Sequence, residues 1–285
     1  MDERGLIRTI SAVLPSGATA DDCAVLPHGG ELLLLSTDML HETTDFPVGM
    51  TDEEIGWMAA AVTISDIAGM GARPLALLLA SGLDRPERLA GITEGAARCC
   101  RTYGADLVGG DTDAHTELTL VSTGLGAAEQ VVRRQGAHVD DLVCVTGYLG
   151  GAQAALSGYD DYWERLIAPQ PRVAEGLALN AAGATAMMDI SDGLAMSLHD
   201  MLGVNECGFA VETARLPLPA GVPEAEARTF ALSGGGDFEL LFTIPPEKFP
   251  VAGVEATAVG RVVEAHGVWA DGAPLPAEGY MHRWE

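Results

Sequence analysis

Thr51–Ser81 reads TDEEIGWMAAAVTISDIAGMGARPLALLLAS, a helix and a strand in succession. Thr51 with Glu54 three positions on is a capping box, in which a hydroxyl and a carboxylate each accept from an orphan backbone N–H, so a helix starts there. It runs through WMAAAVTISDIAGM and stops at Gly71, with Pro74 beyond it. PLALLLAS (74–81) then reads as a buried strand. Outward from this core, ELLLLST (31–37) is an apolar run of strand length, and ADLVGG (105–110) is a second buried strand. A helix near Arg85–Tyr103 lies between PLALLLAS and ADLVGG, and LTLVSTGLG (118–126) is a further strand. Strands alternating with helices make the class α/β (α+β).

Past RRQGAHVDD (133–141) a second series begins. DLVCVTG reads as a strand, GGAQAALSG as a helix start and PRVAEGLALNAAG as a helix after proline. TAMMDIS is a strand that ends in a helix, and FELLFTI is a later strand. The polar hinge at Gln135–Asp141 divides the chain into 1–135 and 136–285.

The 285 residues, 48% hydrophobic with 35 glycines, suit either two compact units or one large α/β domain with many tight turns. No window approaches the ~18 apolar residues of a membrane span, and MDERGLIRTI lacks an apolar signal core, so a cytoplasmic location is expected. Five scattered cysteines without a CxxC pair read as small buried residues kept reduced. A formal charge of -25 repels nucleic acid and anionic membrane and excludes both as partners. Lys248 is the only lysine, and acidic excess with arginine as nearly the sole cation suggests a salt-rich cytoplasm.

Most aspartates on so acidic a chain are solvated surface groups. Asp21, Asp22, Asp38, Asp66, Asp111, Asp189 and Asp192 differ, because each sits where the backbone is buried or turning. A carboxylate at the end of an apolar strand is costly to bury unless paired or bound to a cation. Arginines do not accompany these segments in sequence, apart from Arg73 near Asp66. Hard oxygen donors without histidine or cysteine pairs select Mg²⁺ or Mn²⁺, and Mg²⁺ shares its coordination shell with water and substrate phosphates. Several such carboxylates imply several Mg²⁺ ions on a polyphosphate.

Glycines supply the complementary feature, since phosphate needs close approach of backbone N–H groups. Gly109 and Gly110 precede Asp111, Gly234–Gly236 precede Asp237, and Ser191–Gly193 open a helix whose N-terminus suits an anion. One glycine pair alone is a tight turn; its recurrence beside strand-end aspartates is the signal. There is no GxxxxGK[ST] loop, HExxH helix or GxSxG elbow, and TGLGAAE lacks the last glycine of a dinucleotide fingerprint.

With these motifs in order, DDCAVL, STDMLHETTDFP, TISDIAGMGARP, VGGDT, RRQGA, DISDGL, SGGGDFELLF and a terminal EGY, the chain resembles the thiamine-monophosphate kinase family nearly end to end. That family belongs to the superfamily of aminoimidazole ribonucleotide synthetase and selenophosphate synthetase. The resemblance implies a two-domain fold of the aminoimidazole ribonucleotide synthetase type, whose N-terminal halves pair as a homodimer, with ATP and several Mg²⁺ in a cleft between the domains. It implies direct phosphorylation of thiamine monophosphate to thiamine diphosphate. By motif, Asp21, Ser36, Thr37, Asp38, Asp66, Asp111, Asp189 and Asp192 match metal ligands. Gly110, Asp111, Arg134 and Ser191 match ATP contacts, while Asp45, Gly236 and Tyr280 fall at substrate-binding positions.

Four positions depart from the family pattern. Ala20 replaces a glycine before the aspartate pair and Thr63 replaces an asparagine. Gly236 stands where relatives carry a substrate-facing glutamate, and Asp45 where many carry a histidine. Two alternatives accompany this reading. One is another ATP-dependent enzyme of the superfamily, of ribonucleotide cyclo-ligase or hydrogenase-maturation type; the other is a catalytically silent nucleotide-binding dimer.

Overall fold

The computed structural model describes residues 3–282. Its elements are α1 (Glu3–Ser11), β1 (Ala24–His28), β2 (Glu31–His41), α2 (Asp52–Gly69), β3 (Arg73–Leu83), α3 (Leu89–Thr102), β4 (Asp106–Ala114), β5 (Thr119–Ala128), β6 (Leu142–Thr146), α4 (Gly151–Leu156) and α5 (Trp163–Ile167). There follow α6 (Val173–Ala182), β7 (Ala186–Ile190), α7 (Leu194–Val204), β8 (Gly208–Val211), α8 (Glu224–Ser233), β9 (Glu239–Ile244), β10 (Ala256–Val263), β11 (Val268–Ala270) and β12 (Ala273–Pro274). One sheet runs β1-β2-β5-β3-β4 and the other β12-β11-β8-β10-β6-β9-β7. The first is antiparallel except for β3 and β4, which α3 joins as a parallel crossover. Among the described residues, no helix is long and apolar enough to cross a membrane.

Helix α2 is the centre of the molecule. Its capping box forms as the sequence predicts, with Thr51 Oγ1 accepting from the Glu54 amide at 3.3 Å and Glu54 Oε2 accepting from the Thr51 amide at 2.7 Å. From Ile55 to Gly69 every residue except Asp66 is buried, because the first sheet, α3, α6 and β7 all pack around it. One half-buried carboxylate is therefore carried into the junction of the two sheets. Asn180 of α6 donates to the Gly71 carbonyl at 2.9 Å and ties the end of α2 to the second half.

Helices cover the first sheet on one face only, and this corrects the expectation that PLALLLAS and ADLVGG are buried strands. On β3 the side chains alternate, with Leu77, Leu79 and Leu83 buried and Leu78 46% exposed. β4 is an edge strand, exposed along almost its whole length. All five cysteines are buried free thiols, as the sequence suggests, and burial pushes the Cys23 and Cys99 thiols up.

Candidate active site

Strand alternation on β2 turns Ser36 and Asp38 toward α2 and leaves Thr37 and Met39 on the open face. Asp66 of α2 meets them there, and Ser36 Oγ donates to its carboxylate. Thr63, one helical turn earlier, donates to Asp38 Oδ2 at 2.5 Å and shares a hydrogen bond with Ser122 of β5. Ser65 reaches the other way and donates to Asp189 Oδ2 at 2.7 Å, at the end of β7. The departure at Thr63 thus has a local role, for its hydroxyl holds Asp38.

Asp21 and Asp22 separate. Asp21 accepts from Arg133 and from the Arg134 amide, whereas the fully buried Asp22 side chain lies among Asp38, Asp66 and Asp189. The expectation that no arginine but Arg73 accompanies these aspartates is corrected here: the RRQGA segment folds back, and Arg134 Nε donates to Asp22 Oδ1 at 2.7 Å. Sequence separation of more than a hundred residues concealed the pairing. The other oxygen, Asp22 Oδ2, is buried without a hydrogen-bond partner. The sequence singled out both Asp21 and Asp22 as aspartates at a turning backbone, and the family resemblance carried only Asp21 into the expected ligand set.

Four carboxylates therefore face one another with one arginine among them. Burial raises Asp22, Asp38 and Asp66, and each also feels a neighbouring carboxylate. Asp189 is pushed up to about 8, first by burial and then by the Asp22 charge. Negative groups held this close disfavour their own ionisation, and a hard cation reverses that balance. As placed, no three acidic, histidine or cysteine side chains among the described residues form a ready metal cage; the all-oxygen donor set, the orphaned Asp22 oxygen and the hydroxyls that orient Asp38, Asp66 and Asp189 have the chemistry that suits a hard cation such as Mg²⁺.

Other expected site residues lie elsewhere. Pairing places Asp38, Ser122, Leu79 and Gly110 in one row across β2, β5, β3 and β4, so Gly110 is about 14 Å from Asp38 at the usual strand spacing. Asp111 pairs with Ala80 in the next row, and alternation sets it with Thr37 on the open face; its Oδ1 accepts from the Thr112 amide. A Cβ at Gly110 would lie 1.8 Å from the Leu79 carbonyl oxygen, so only glycine lets β4 approach β3 here. Asp45 Oδ2 accepts from the His41 amide and from Thr44 Oγ1, both at 2.7 Å, and closes its own loop. Buried Arg88 anchors that loop through Glu42, Asp52 and Asp84.

The remaining expected residues gather at the end of β7. Gly236 donates its amide to the Ser191 carbonyl at 2.7 Å, and Tyr280 donates its amide to the Asp192 carbonyl at 3.1 Å. Gly236 has φ +91°, a conformation that L side chains rarely adopt. Asp237 is buried and pushed up to about 6 by burial, although its carboxylate accepts from the Gly150 and Ala152 amides. Beside it, wholly buried Glu239 accepts from Thr146, Arg165 and Arg172; nothing in FELLFTI distinguished it from a strand residue.

Comparison with known proteins adds independent findings. Residues 20–128 match the family model described as AIR synthase related protein, N-terminal domain. The chain is 52% identical over 286 residues to the thiamine-monophosphate kinase of Methanospirillum hungatei, covering 100% of both chains. It is 39% identical to that of Halobacterium salinarum, over 99% of this chain and 100% of the relative. Its fold is similar to a solved structure of AaThiL complexed with AMPPCP and TMP, with TM-score 0.93, 29% identity and coverage of 99% and 97% of the two chains.

Proposed function

The chain belongs to the thiamine-monophosphate kinase family, and from that membership we propose that it transfers the γ-phosphate of ATP directly onto thiamine monophosphate, as a cytoplasmic homodimer using several Mg²⁺ ions. The observation that carries the mechanism is the group of buried and half-buried carboxylates Asp22, Asp38, Asp66 and Asp189, with the orphaned Asp22 Oδ2 among them. We assign these four, with Ser36, to Mg²⁺ binding. Thr37, Asp111 and Asp192 complete the proposed ligand set, while Asp21 serves to hold Arg133 and the Arg134 amide. Bound Mg²⁺ supplies neutralisation of the phosphate charges and a fixed separation between the two phosphates.

Protein groups do the rest. Thr63, Ser65 and Ser36 each donate one hydroxyl to a cluster carboxylate and hold it in place before substrate arrives. Arg134 occupies only Oδ1 of Asp22, which leaves Oδ2 to a cation; with Gly110, Asp111 and Ser191 it is assigned to ATP. Asp45, Gly236 and Tyr280 flank the acceptor. An oxygen of the acceptor phosphate attacks the γ-phosphorus in line, the bond from that phosphorus to the bridging oxygen breaks, and ADP leaves with the electron pair. The attacking oxygen is already deprotonated near neutral pH, so no general base is assigned. The cleft lies between 1–135 and 136–285, and pairing of two chains buries the apolar part of the open face of the first sheet, where Leu35, Met39, Leu78 and Val108 are exposed, while leaving Thr37 and Asp111 on that face open to the cleft.

Purified protein with Mg²⁺, ATP and thiamine monophosphate will give thiamine diphosphate and ADP in equal amounts, and free thiamine will not react. ADP release that ignores thiamine monophosphate, with no thiamine diphosphate seen by chromatography, refutes this function and favours a superfamily relative with another acceptor.

A further inference from the structure

The glycine loop Gly234–Phe238 is held in an uncommon conformation. Besides Gly236, Phe238 has φ +51°, in the left-handed region that non-glycine residues rarely occupy. Such a backbone persists only where its surroundings over-determine it. The Phe238 amide donates to the Ile190 carbonyl at 3.0 Å, and the loop lies so close to the turn after β7 that a Cβ on Gly235 would come within 2.8 Å of the Ser191 carbonyl oxygen. Its position therefore sets the wall beside Ser191 and Asp192.

A buried ionic chain stands behind that wall. Arg165 Nη2 donates to the Asp237 carbonyl oxygen at 2.9 Å and also to Glu239, so one nitrogen joins the loop backbone to the start of β9. The guanidinium lies 5.2 Å from the centre of the Tyr148 ring, and the side chain is only 10% exposed. Glu239 is 0% exposed and also receives Arg172 Nε at 2.7 Å, Arg172 Nη2 at 2.5 Å and Thr146 Oγ1 at 2.6 Å. Arg172 immediately precedes α6, which packs on α2, the carrier of Asp66. The same carboxylate thus ties the glycine loop to the start of α6 and, through its packing, to α2 with Asp66. Replacing buried ion networks by apolar groups is often neutral or stabilising, so stability alone does not account for such a chain.

We propose that Arg165 and Glu239 are positioning residues that hold the glycine loop at the spacing the acceptor requires. The inference rests on the acceptor-side assignment of Gly236. Lysine at 165 keeps the charge but lacks the planar guanidinium that lies against the Tyr148 ring and sets Nη2 between the Asp237 carbonyl and Glu239.

The test compares wild type, Arg165→Lys and Glu239→Gln by steady-state kinetics with thiamine monophosphate and by amide hydrogen exchange of 233–244. In Arg165→Lys, KM for the acceptor should rise at least ~10-fold, within the penalty that misplacement by about 1 Å imposes. KM for ATP should stay within about 2-fold, and amides 234–238 should exchange at least ~10-fold faster while 240–244 stay protected. Unchanged exchange at 234–238 overturns the inference; faster exchange with an unchanged acceptor KM overturns the acceptor role. Should Glu239→Gln fail to fold, Arg165→Lys carries the test alone. A wild type that makes no thiamine diphosphate refutes the proposed function, while the exchange comparison still decides whether Arg165 holds the loop.

Discussion

Replacing Asp189 by asparagine should stabilise the metal-free protein while abolishing its activity. Asp189 is buried, pushed up to about 8 from 3.8 by burial and by Asp22. Its folded pKa is the raised one, so the native state binds more protons than the unfolded chain between those values. Stability consequently falls as pH rises through that window. At about 1.4 kcal/mol per pKa unit, the full shift corresponds to roughly 6 kcal/mol of destabilisation above pH 8, absent below pH 4. Asparagine removes the ionisation and keeps an amide oxygen to accept from Ser65. Allowing half the gain to be lost to its imperfect fit leaves ~3 kcal/mol, or a melting temperature raised by about 5–10 °C. Calorimetry or circular dichroism in EDTA at pH 5 and pH 8 measures this, with a smaller pH dependence in the variant. Mg²⁺ should raise the wild-type melting temperature and leave the variant's nearly unchanged. A variant melting below wild type at pH 8 without metal, or a wild type equally stable at both pH values, would refute the reasoning.

Asp111→Asn should lower turnover at least ~100-fold at saturating Mg²⁺; near-wild-type kcat would remove Asp111 from the site. Gly236→Glu should lower the acceptor KM while costing ~1–3 kcal/mol in a thermal melt, since φ is +91° there and a Cβ would sit 3.1 Å from that of Ala152; an unchanged KM would mean that this position does not face the acceptor. Leu78→Glu, on the open face of the first sheet, should yield monomers in sedimentation equilibrium where wild type gives dimers, and a monomeric wild type would dismiss the pairing. With a formal charge of -25, the melting temperature should rise between dilute buffer and molar KCl, and a flat response would remove the salt-adaptation reading.

Local interactions made much of this protein legible. The capping box at Thr51–Glu54, the stop at Gly71 and the strand end beside Asp189 depend on residues a few positions apart, so their patterns survive in one dimension, whereas the strand expected to end at Asp38 runs on to His41. The motif series, taken together, placed the chain in its family. Which carboxylates meet was another matter. Sequence could not say that Asp22 turns inward while Asp21 turns to Arg133, because two adjacent side chains part according to what the rest of the chain brings up. Nor could it tell that β4 is an exposed edge, since Leu107 and Val108 read alike whether a layer covers them or not. Glu239 makes the same point most sharply. One acid at a strand start looks ordinary until Thr146, Arg165 and Arg172, between 67 and 93 residues away along the chain, converge on its wholly buried carboxylate. Charge compensation acts through space, and only the tertiary fold decides which charges share a space.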